Sequence, residues 1–523
     1  MAADAVPRPR RRRLLQKLLL GTLTMVGMAL VAELVVRAVD GYRLFASRLQ
    51  PVAGRGAGEA GSPTDLVAAF LRQPALTRPD LDPEWFPTSP PHVPPHPLPP
   101  PMAETFAAGY HAVFLYQWNE ALLRSVWIKG FGPSMGPELR KPDAYYVFAP
   151  VDGQPLPRYR FPTATTLPSG LTLNTFGYRG RDLPVDKAPN VIRIACVGAS
   201  TTVDDHAVPH SYPELLEHFL SKWAERHRPE LRFEVINAAC EGYYSYETAV
   251  NVRHYVVPLA VDYVLYYEGA NQLQAPQVMP HVRIEGAVPP APQLPGLFDP
   301  TAAAKGERQW LYEHSAAARR LHTVLVRGQP IAEPSKPAQT LTFPDGLDES
   351  RIDLARAGEV LGLGQILSDL ATIRTDVAAA GGKLVLSSFR WFVHDGLCVD
   401  PIRGEHVWRQ LNETCWPVSY ALMRRLADLQ NRWFAAWAAA NHVPFLDVAA
   451  ALPADERLYT DAIHKSGLGS RCHAWAACAL LLPQIERDLR SGTVPVPDPH
   501  ADGTHPNVPP LRRLTRAELD AGR

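Results

Sequence analysis

The stretch VIRIACVGASTT, residues 191–202, decides the fold. Its apolar, β-branched first part reads as a strand buried on both faces. The strand ends at Gly198, and two residues on stands Ser200, followed by Thr201 and Thr202. A serine just past the carboxyl end of a strand, with a glycine before it to allow a tight turn, is where an α/β fold presents a hydroxyl to a substrate. The spelling is Gly-x-Ser with no second glycine two residues later, a departure from the Gly-x-Ser-x-Gly nucleophile elbow. A turn residue or a helix N-cap is the other reading of the same serine.

Working outward, FEVIN (233–237), DYVLYYEG (262–269), KLVLSSF (383–389) and PFLDV (444–448) read as four further strands. Helical patterns lie between most of them. Ser211-Tyr-Pro-Glu214 is a capping box with proline in the first turn, and Leu215, Leu216, Phe219, Leu220 and Trp223 come next on one face. Residues 353–380 and 418–441 are helical by the same criterion. Strands alternating with helices predict an α/β domain, residues 190–490, with a five-stranded parallel sheet covered on both faces. Right-handed crossovers leave a flavodoxin-like strand order as the simplest. Two insertions, 273–349 (with a helical stretch near 310–326) and 391–416, lie beyond carboxyl ends of strands and are candidates for shaping specificity.

The chain has 523 residues, with 53 basic against 53 acidic, so no global field draws in nucleic acid. Arg8, Arg10 to Arg13 and Lys17 precede an apolar segment, 18–36, whose one charge is Glu33. At ~1.5 Å per residue it spans ~29 Å, close to the hydrocarbon thickness of a bilayer. The basic flank predicts a cytoplasmic amino terminus (1–45 being tail plus anchor) and an extracytoplasmic domain, with Glu33 near the outer interface. A cleaved signal peptide is the competing reading, with Leu30-Val31-Ala32 as its site; Arg11-Arg12-Arg13-Leu14-Leu15 faintly resembles a twin-arginine signal.

Proline is abundant, 52 residues, and clusters. Residues 46–103 read as a flexible Gly/Ala stretch leading into a polyproline II spacer. Residues 104–189 regain aromatics and are expected to pack on the main domain as an extension; 491–523 are polar, Pro-rich and expected to be disordered. The six cysteines form no Cys-x-x-Cys pair, which argues against a zinc site. Cys196 and Cys240 are expected to pack as small apolar residues, whereas Cys398 and Cys415 could pair in an exported loop. Asn412-Glu413-Thr414 is a glycosylation sequon by pattern.

The chemistry is carried by the residues just past each strand. After the first strand is Ser200; after the second, Asn237-Ala-Ala-Cys-Glu-Gly242; after the third, Gly269-Ala-Asn271. These ends converge on one crevice in a parallel sheet and supply a hydroxyl, an approachable backbone N–H and an amide. Asp461-Ala-Ile-His464 is expected to open the last helix, where residues three apart are neighbours, so the carboxylate can orient the imidazole toward Ser200. Gly242 closing a turn, Asn271 bracing a loop and Asp461 capping a helix are the bland readings of the same residues. His206 and His394 compete with His464 as base.

These blocks resemble the SGNH (GDSL-type) hydrolase superfamily. Ser200 in VGAST is similar to its block I nucleophile, Gly242 in NAACEG to its block II glycine, Asn271 in GAN to its block III asparagine, and Asp461 and His464 to its block V. NTFGYRG (174–180) resembles a segment that precedes block I in membrane-anchored bacterial members. The resemblance implies a three-layer α/β/α domain and a Ser200-His464-Asp461 triad acting on esters. It also implies an oxyanion hole of the Ser200 and Gly242 N–H groups plus the Asn271 amide, and no cofactor or metal. Gln272 stands where many members have Asp, and block I reads Gly-Ala-Ser rather than Gly-Asp-Ser, which leaves the substrate class open. The expected activity is a serine esterase, with O-acyl groups of an envelope polysaccharide as a plausible substrate. An O-acyltransferase using the same acyl-enzyme and an inactive glycan-binding module are the alternatives. The sequence does not define an oligomeric state.

Overall fold

The structure, a computed structural model, describes residues 9–39, 63–91, 159–166, 171–204, 209–271, 282–290, 331–343, 347–361, 364–399 and 416–499, with short pieces at 42–47, 49, 93, 146–147, 314–318, 320–321, 408 and 411–412. Five strands form one parallel sheet: β1 (Val191–Gly198), β2 (Arg232–Asn237), β3 (Tyr263–Tyr267), β4 (Lys383–Ser387) and β5 (Phe445–Leu446). Their order across the sheet is β2-β1-β3-β4-β5, the flavodoxin-like arrangement expected. Every residue of β1 is buried, as a strand covered on both faces demands. The first crossover runs from β1 to one edge and the later ones run the opposite way, so right-handedness puts their helices on opposite faces. Accordingly α4 (Tyr212–His227) packs with α10 (Gly467–Ser491), while α5 (Ser245–Asn251) packs with α7 (Gly364–Ala379). Then α6 (Leu354–Leu361) bridges α7 and α8 (Tyr420–Ala440). The capping box at Ser211 and Glu214 forms as read from the sequence.

Charge is buried at the amino-terminal edge of the sheet, and each group has partners. Arg193, inside β1, donates to Glu234 (2.8 Å) and to the carbonyls of Leu259 and Pro184 (2.6 and 2.9 Å). Asp262 accepts from Lys187 Nζ and from the Arg193 backbone, each at 2.6 Å, and from the Val496 N–H. That last contact corrects one expectation. Residues 491–499 are packed, with Val494 and Val496 buried and Asp498 accepting from the Lys187 N–H; the remainder of the tail lies outside the described residues.

A second correction concerns the stretch read as a linker. Residues 63–91 form a strap laid over α4 and α10. It begins with α2 (Pro63–Leu71), in which Leu66, Val67, Phe70 and Leu71 share one apolar face. Phe70, Leu76, Leu81 and Phe86 are buried in the main core. Phe86 lies edge-on to Trp475 at 5.6 Å and stacks on Phe219 at 6.5 Å. Asp80 accepts from Trp223 Nε1 (2.8 Å), and Arg471 donates to the Phe86 carbonyl (2.7 Å). The polyproline run at 94–100 lies outside the described residues, as do 104–145 of the extension. Of the rest of the extension, Phe161, Leu171, Leu173, Tyr178 and Leu183 are buried.

The insertions knit together: Ile331–Ala332 pairs antiparallel with Cys398–Val399, and Val282–Glu285 with Ala338–Leu341. Cys398 carries a free, exposed thiol; Cys415 lies outside the described residues, as does most of 310–326. Asn412 is buried, and its Nδ2 donates to Trp408 O and Tyr420 Oη, so the sequon amide is not presented to solvent.

Helix α1 (Pro9–Val39) touches the rest of the described residues at its carboxyl end, where Val36 packs on Tyr42, Leu49 and Ala316. Its span Gln16–Val39 is long and apolar enough to cross a membrane; its most apolar part is exposed along its length, whereas Arg37 near the carboxyl end is buried. Glu33 is paired, not isolated: it accepts from Arg37 at 2.6 Å and from Ser315 and the backbone of Ala316 and Ala317.

Removing the strap's aromatic anchor should be felt throughout this core. Phe86→Ala is expected to lower stability by about 3–5 kcal/mol, read as a shifted urea midpoint with the m-value unchanged. An unchanged midpoint would mean that the strap is not part of the cooperative core.

Candidate active site

The winding direction reverses between β1 and β3, and the crevice at their carboxyl ends is where an open α/β sheet binds ligand. Ser200 stands there, first residue of the short helix α3 (Ser200–Val203). Gly198 is required at the turn: a Cβ would overlap the Tyr267 carbonyl oxygen and come within 2.8 Å of Thr202 Oγ1. The carboxyl end of α3 is held from two sides. Asn237 Nδ2 donates to Thr202 O (2.9 Å), and Arg179 donates to the Asp204 and Val203 carbonyls. Arg179 belongs to the NTFGYRG segment, which Asn174 folds by accepting from the Phe176 and Tyr178 N–H groups at 3.0 Å. That segment therefore buttresses the turn that carries Ser200.

Asp461 and His464 lie in a turn ahead of α10, not at its start as expected. The helix begins at Gly467 because Ser466 is its N-cap, accepting from Gly469 N at 3.2 Å. The pair is neighbourly for a different reason: Asp461 Oδ1 accepts from the Ile463 and His464 backbone N–H groups (2.8 and 2.7 Å). Its Oδ2 lies 2.6 Å from His464 Nδ1, and His464 Nε2 lies 2.8 Å from Ser200 Oγ. A carboxylate only accepts, so Nδ1 carries the proton and Nε2 accepts from the serine hydroxyl.

Gly242 sits in the turn after β2 at φ +68, the left-handed region that favours glycine. Asn271, after β3, donates from Nδ2 to Tyr243 O at 2.9 Å, which ties its loop to the Gly242 turn. Ser200, His464 and Asp461 thus share one hydrogen-bonded row, and Gly242 and Asn271 share one linked pair of loops. His394 Nδ1 lies 2.9 Å from Asp395 O; His206 and Gln272 lie outside the described residues. His473 is buried between Tyr212 and Tyr267, ring centroids 3.9 and 4.4 Å away, and burial pushes its pKa well below the ordinary value. Burial pushes the Cys196 and Cys240 thiols up, which suppresses their nucleophilic form.

Sequence reasoning misses three buried ionisable residues that adjoin the site in sequence: Asp204, Glu268 and Lys465. The signal available is a charged residue directly after β3 and another directly after His464. Glu268 Oε1 accepts from the Asn271 N–H at 2.8 Å. Desolvation pushes its pKa up to about 7, opposed by the Asn271, Gly269 and Ala270 N–H groups.

No protein-family model matches this chain, and no curated protein matches it. Among solved structures it is similar to a GDSL-like lipase from Bacteroides thetaiotaomicron, at 14% identity over 56% of this chain and 88% of that one, TM-score 0.27. A variant of an acetyl xylan esterase from Geobacillus stearothermophilus matches at 12% identity over 57% and 97%, TM-score 0.29. An alpha/beta hydrolase from the metagenome of Lake Arreo matches at 13% over 55% and 96%, TM-score 0.28. At this degree of likeness the chemistry has to be argued from this chain's own side chains.

Glu268 makes stability depend on pH with a defined sign. Between 4.5, its ordinary value, and about 7 the folded protein holds a proton that the unfolded chain has released. Stability from this group is therefore full at low pH and declines as pH rises through that window. Glu268→Gln should remove this decline, roughly 3 kcal/mol at most, in urea unfolding compared at about pH 5 and about pH 8. An identical pH dependence in both proteins would contradict the burial of this carboxyl.

Proposed function

We propose that this chain is a serine esterase of the SGNH type, anchored in a membrane by α1 and acting on O-acyl groups of an envelope polysaccharide. The observation that carries the reading is the row Ser200 Oγ, His464 Nε2 and Nδ1, Asp461 Oδ2, with links of 2.8 and 2.6 Å. Ser200 attacks the ester carbonyl while His464 takes its proton at Nε2. Asp461 holds the ring in that tautomer and stabilises the imidazolium. The tetrahedral oxyanion is met by the Ser200 and Gly242 N–H groups and the Asn271 amide, donors fixed before the charge appears. His464 then returns the proton to the leaving alcohol, and the acyl-enzyme is released by water through the same base. Interception by a sugar hydroxyl in place of water would make the same acyl-enzyme a transferase, which product analysis with and without acceptor glycans separates. The catalytic unit in this reading is residues 190–490. The basic cluster Arg8, Arg10 to Arg13 and Lys17 ahead of α1 supports its location outside the cytoplasm.

On p-nitrophenyl acetate, Ser200→Ala should abolish turnover, and His464→Ala should be nearly as damaging because a serine hydroxyl is a poor nucleophile without a base. Asp461→Asn should cost less than loss of His464. Asn271→Ala should cost ~10²–10³ in kcat with KM little changed. If His464→Ala keeps wild-type turnover while His394→Ala or His206→Ala loses it, the assignment of the base is wrong. If no variant, wild type included, turns over any ester while all bind glycan, the chain is a binding module.

Topology has its own check. A reporter active only in the cytoplasm, fused after Arg523, should be silent, and the mature protein should retain residues 1–32. A reporter that is active, or a mature chain that begins after Ala32, would overturn the anchored arrangement.

A further inference from the structure

Three chain segments must keep their relative positions for the proposed site to work: the Ser200 turn, the loop bearing Asn271 and the turn bearing Asp461 and His464. Hydrogen bonds fix each segment internally, but backbone pairing between them is sparse among the described residues. Tyr267, the last residue of β3, leads directly into the Asn271 loop. The Tyr267 carbonyl accepts from Thr202 Oγ1 at 3.2 Å, and its ring meets Tyr212 edge-on at 6.0 Å and Phe389 face-on at 4.9 Å.

Over that ring, 4.5 Å from its centroid, lies the ammonium of Lys465. Lys465 comes directly after His464, is 1% exposed, and its Nζ has no hydrogen-bond partner among the described residues. A buried ammonium is costly unless opposite charge faces it. Two buried carboxylates supply that charge through the low-dielectric interior without a direct hydrogen bond to Nζ, Glu268 doing so where it is ionised, above about pH 7. Asp204 closes α3 in the left-handed conformation at φ +55; its N–H donates to Ser200 O at 2.8 Å, and its Oδ2 accepts from Tyr212 N at 2.8 Å. Glu268 holds the Asn271 loop, and its Oε2 is a second buried polar atom without a partner among the described residues. Asp204, Asp461 and Glu268 are the acidic groups that act on Lys465, while Tyr459 and His473 beside it are neutral.

We propose that Lys465 is a positioning residue: its buried ammonium holds the Ser200 turn through Asp204 and the Asn271 loop through Glu268 against the turn that carries His464. It touches no reacting atom and acts through these two carboxylates. This inference rests on the esterase reading only for its effect on turnover, not for its effect on the loops.

The experiment has two readouts on the full chain, both taken at about pH 8, where Glu268 is ionised. Lys465→Met keeps the length of the side chain and removes the charge. Hydrogen exchange should quicken in 199–204 and 268–271 while β3 and β4 keep wild-type protection. On p-nitrophenyl acetate kcat should fall, by about 100-fold at most, with KM little changed. Removing one uncompensated carboxylate as well, in Lys465→Met with Glu268→Gln, should restore part of both. Wild-type exchange in Lys465→Met overturns the proposal. So does quickened exchange with unchanged kcat, since the lysine would then be structural only. A fall in kcat without any change in exchange overturns it too, because the charge would be acting on the chemistry directly. If Lys465→Met does not fold, Glu268→Gln is compared with the double variant, which differs from it by the same lysine; equal exchange in 199–204 counts against the proposal. Absence of turnover in wild type refutes the esterase reading, and the exchange data still decide the role of Lys465.

Discussion

The reversal of winding direction between β1 and β3 is the constraint on which the rest depends. Because the crossovers on either side of β1 run in opposite directions, the carboxyl end of that strand is left open as a crevice. The opening admits the serine turn from below and the Asp461–His464 turn from the far end of the chain. Gly198 completes the constraint, since any side chain there would collide with the Tyr267 carbonyl of the neighbouring strand. The site is therefore a consequence of strand order plus one position at which a Cβ has no room.

Around that opening the protein uses its buried polar groups to hold backbone in place. Arg179 and Asn237 satisfy the carbonyls at the end of α3, Glu268 satisfies the N–H groups of the Asn271 loop, and Asp461 satisfies two N–H groups of its own turn. Rigid loops matter because donors fixed in advance need no reorganisation when charge develops on the substrate. The desolvation cost of Asp204, Glu268 and Lys465 is the counterpart of that rigidity, and it falls where stability and positioning meet. The strap at 63–91 contributes from the opposite direction, sealing α4 and α10, the latter entering directly from the His464 turn.

The sheet is legible in the sequence because its strands are short apolar runs closed by glycine or polar residues. β1, β2, β3 and β4 fall within a residue or two of their expected bounds. The residues of the candidate site stand out in the sequence because each lies just past a strand end or ahead of a terminal helix. The features that escape have physical causes. The strap hides in a proline-rich region, where the face made by Leu66, Val67, Phe70 and Leu71 is only two turns long. The Asp461–His464 turn mimics a helix start, because an aspartate that accepts N–H bonds two and three residues on looks the same in sequence whether or not a helix comes next. The packing of Val494 and Val496 depends on Asp262, more than two hundred residues away in sequence, and no local pattern announces it. Lys465 is silent because a lysine beside a histidine reads as solvated until its burial is known.

The central claim is that Ser200 is a hydroxyl activated by His464, and phosphonylation tests it most directly. A fluorophosphonate with subsequent peptide mapping should give a single adduct, on the peptide that contains Ser200, and none in the folded His464→Ala protein. An adduct on another residue, or none on folded wild-type protein, would contradict the account.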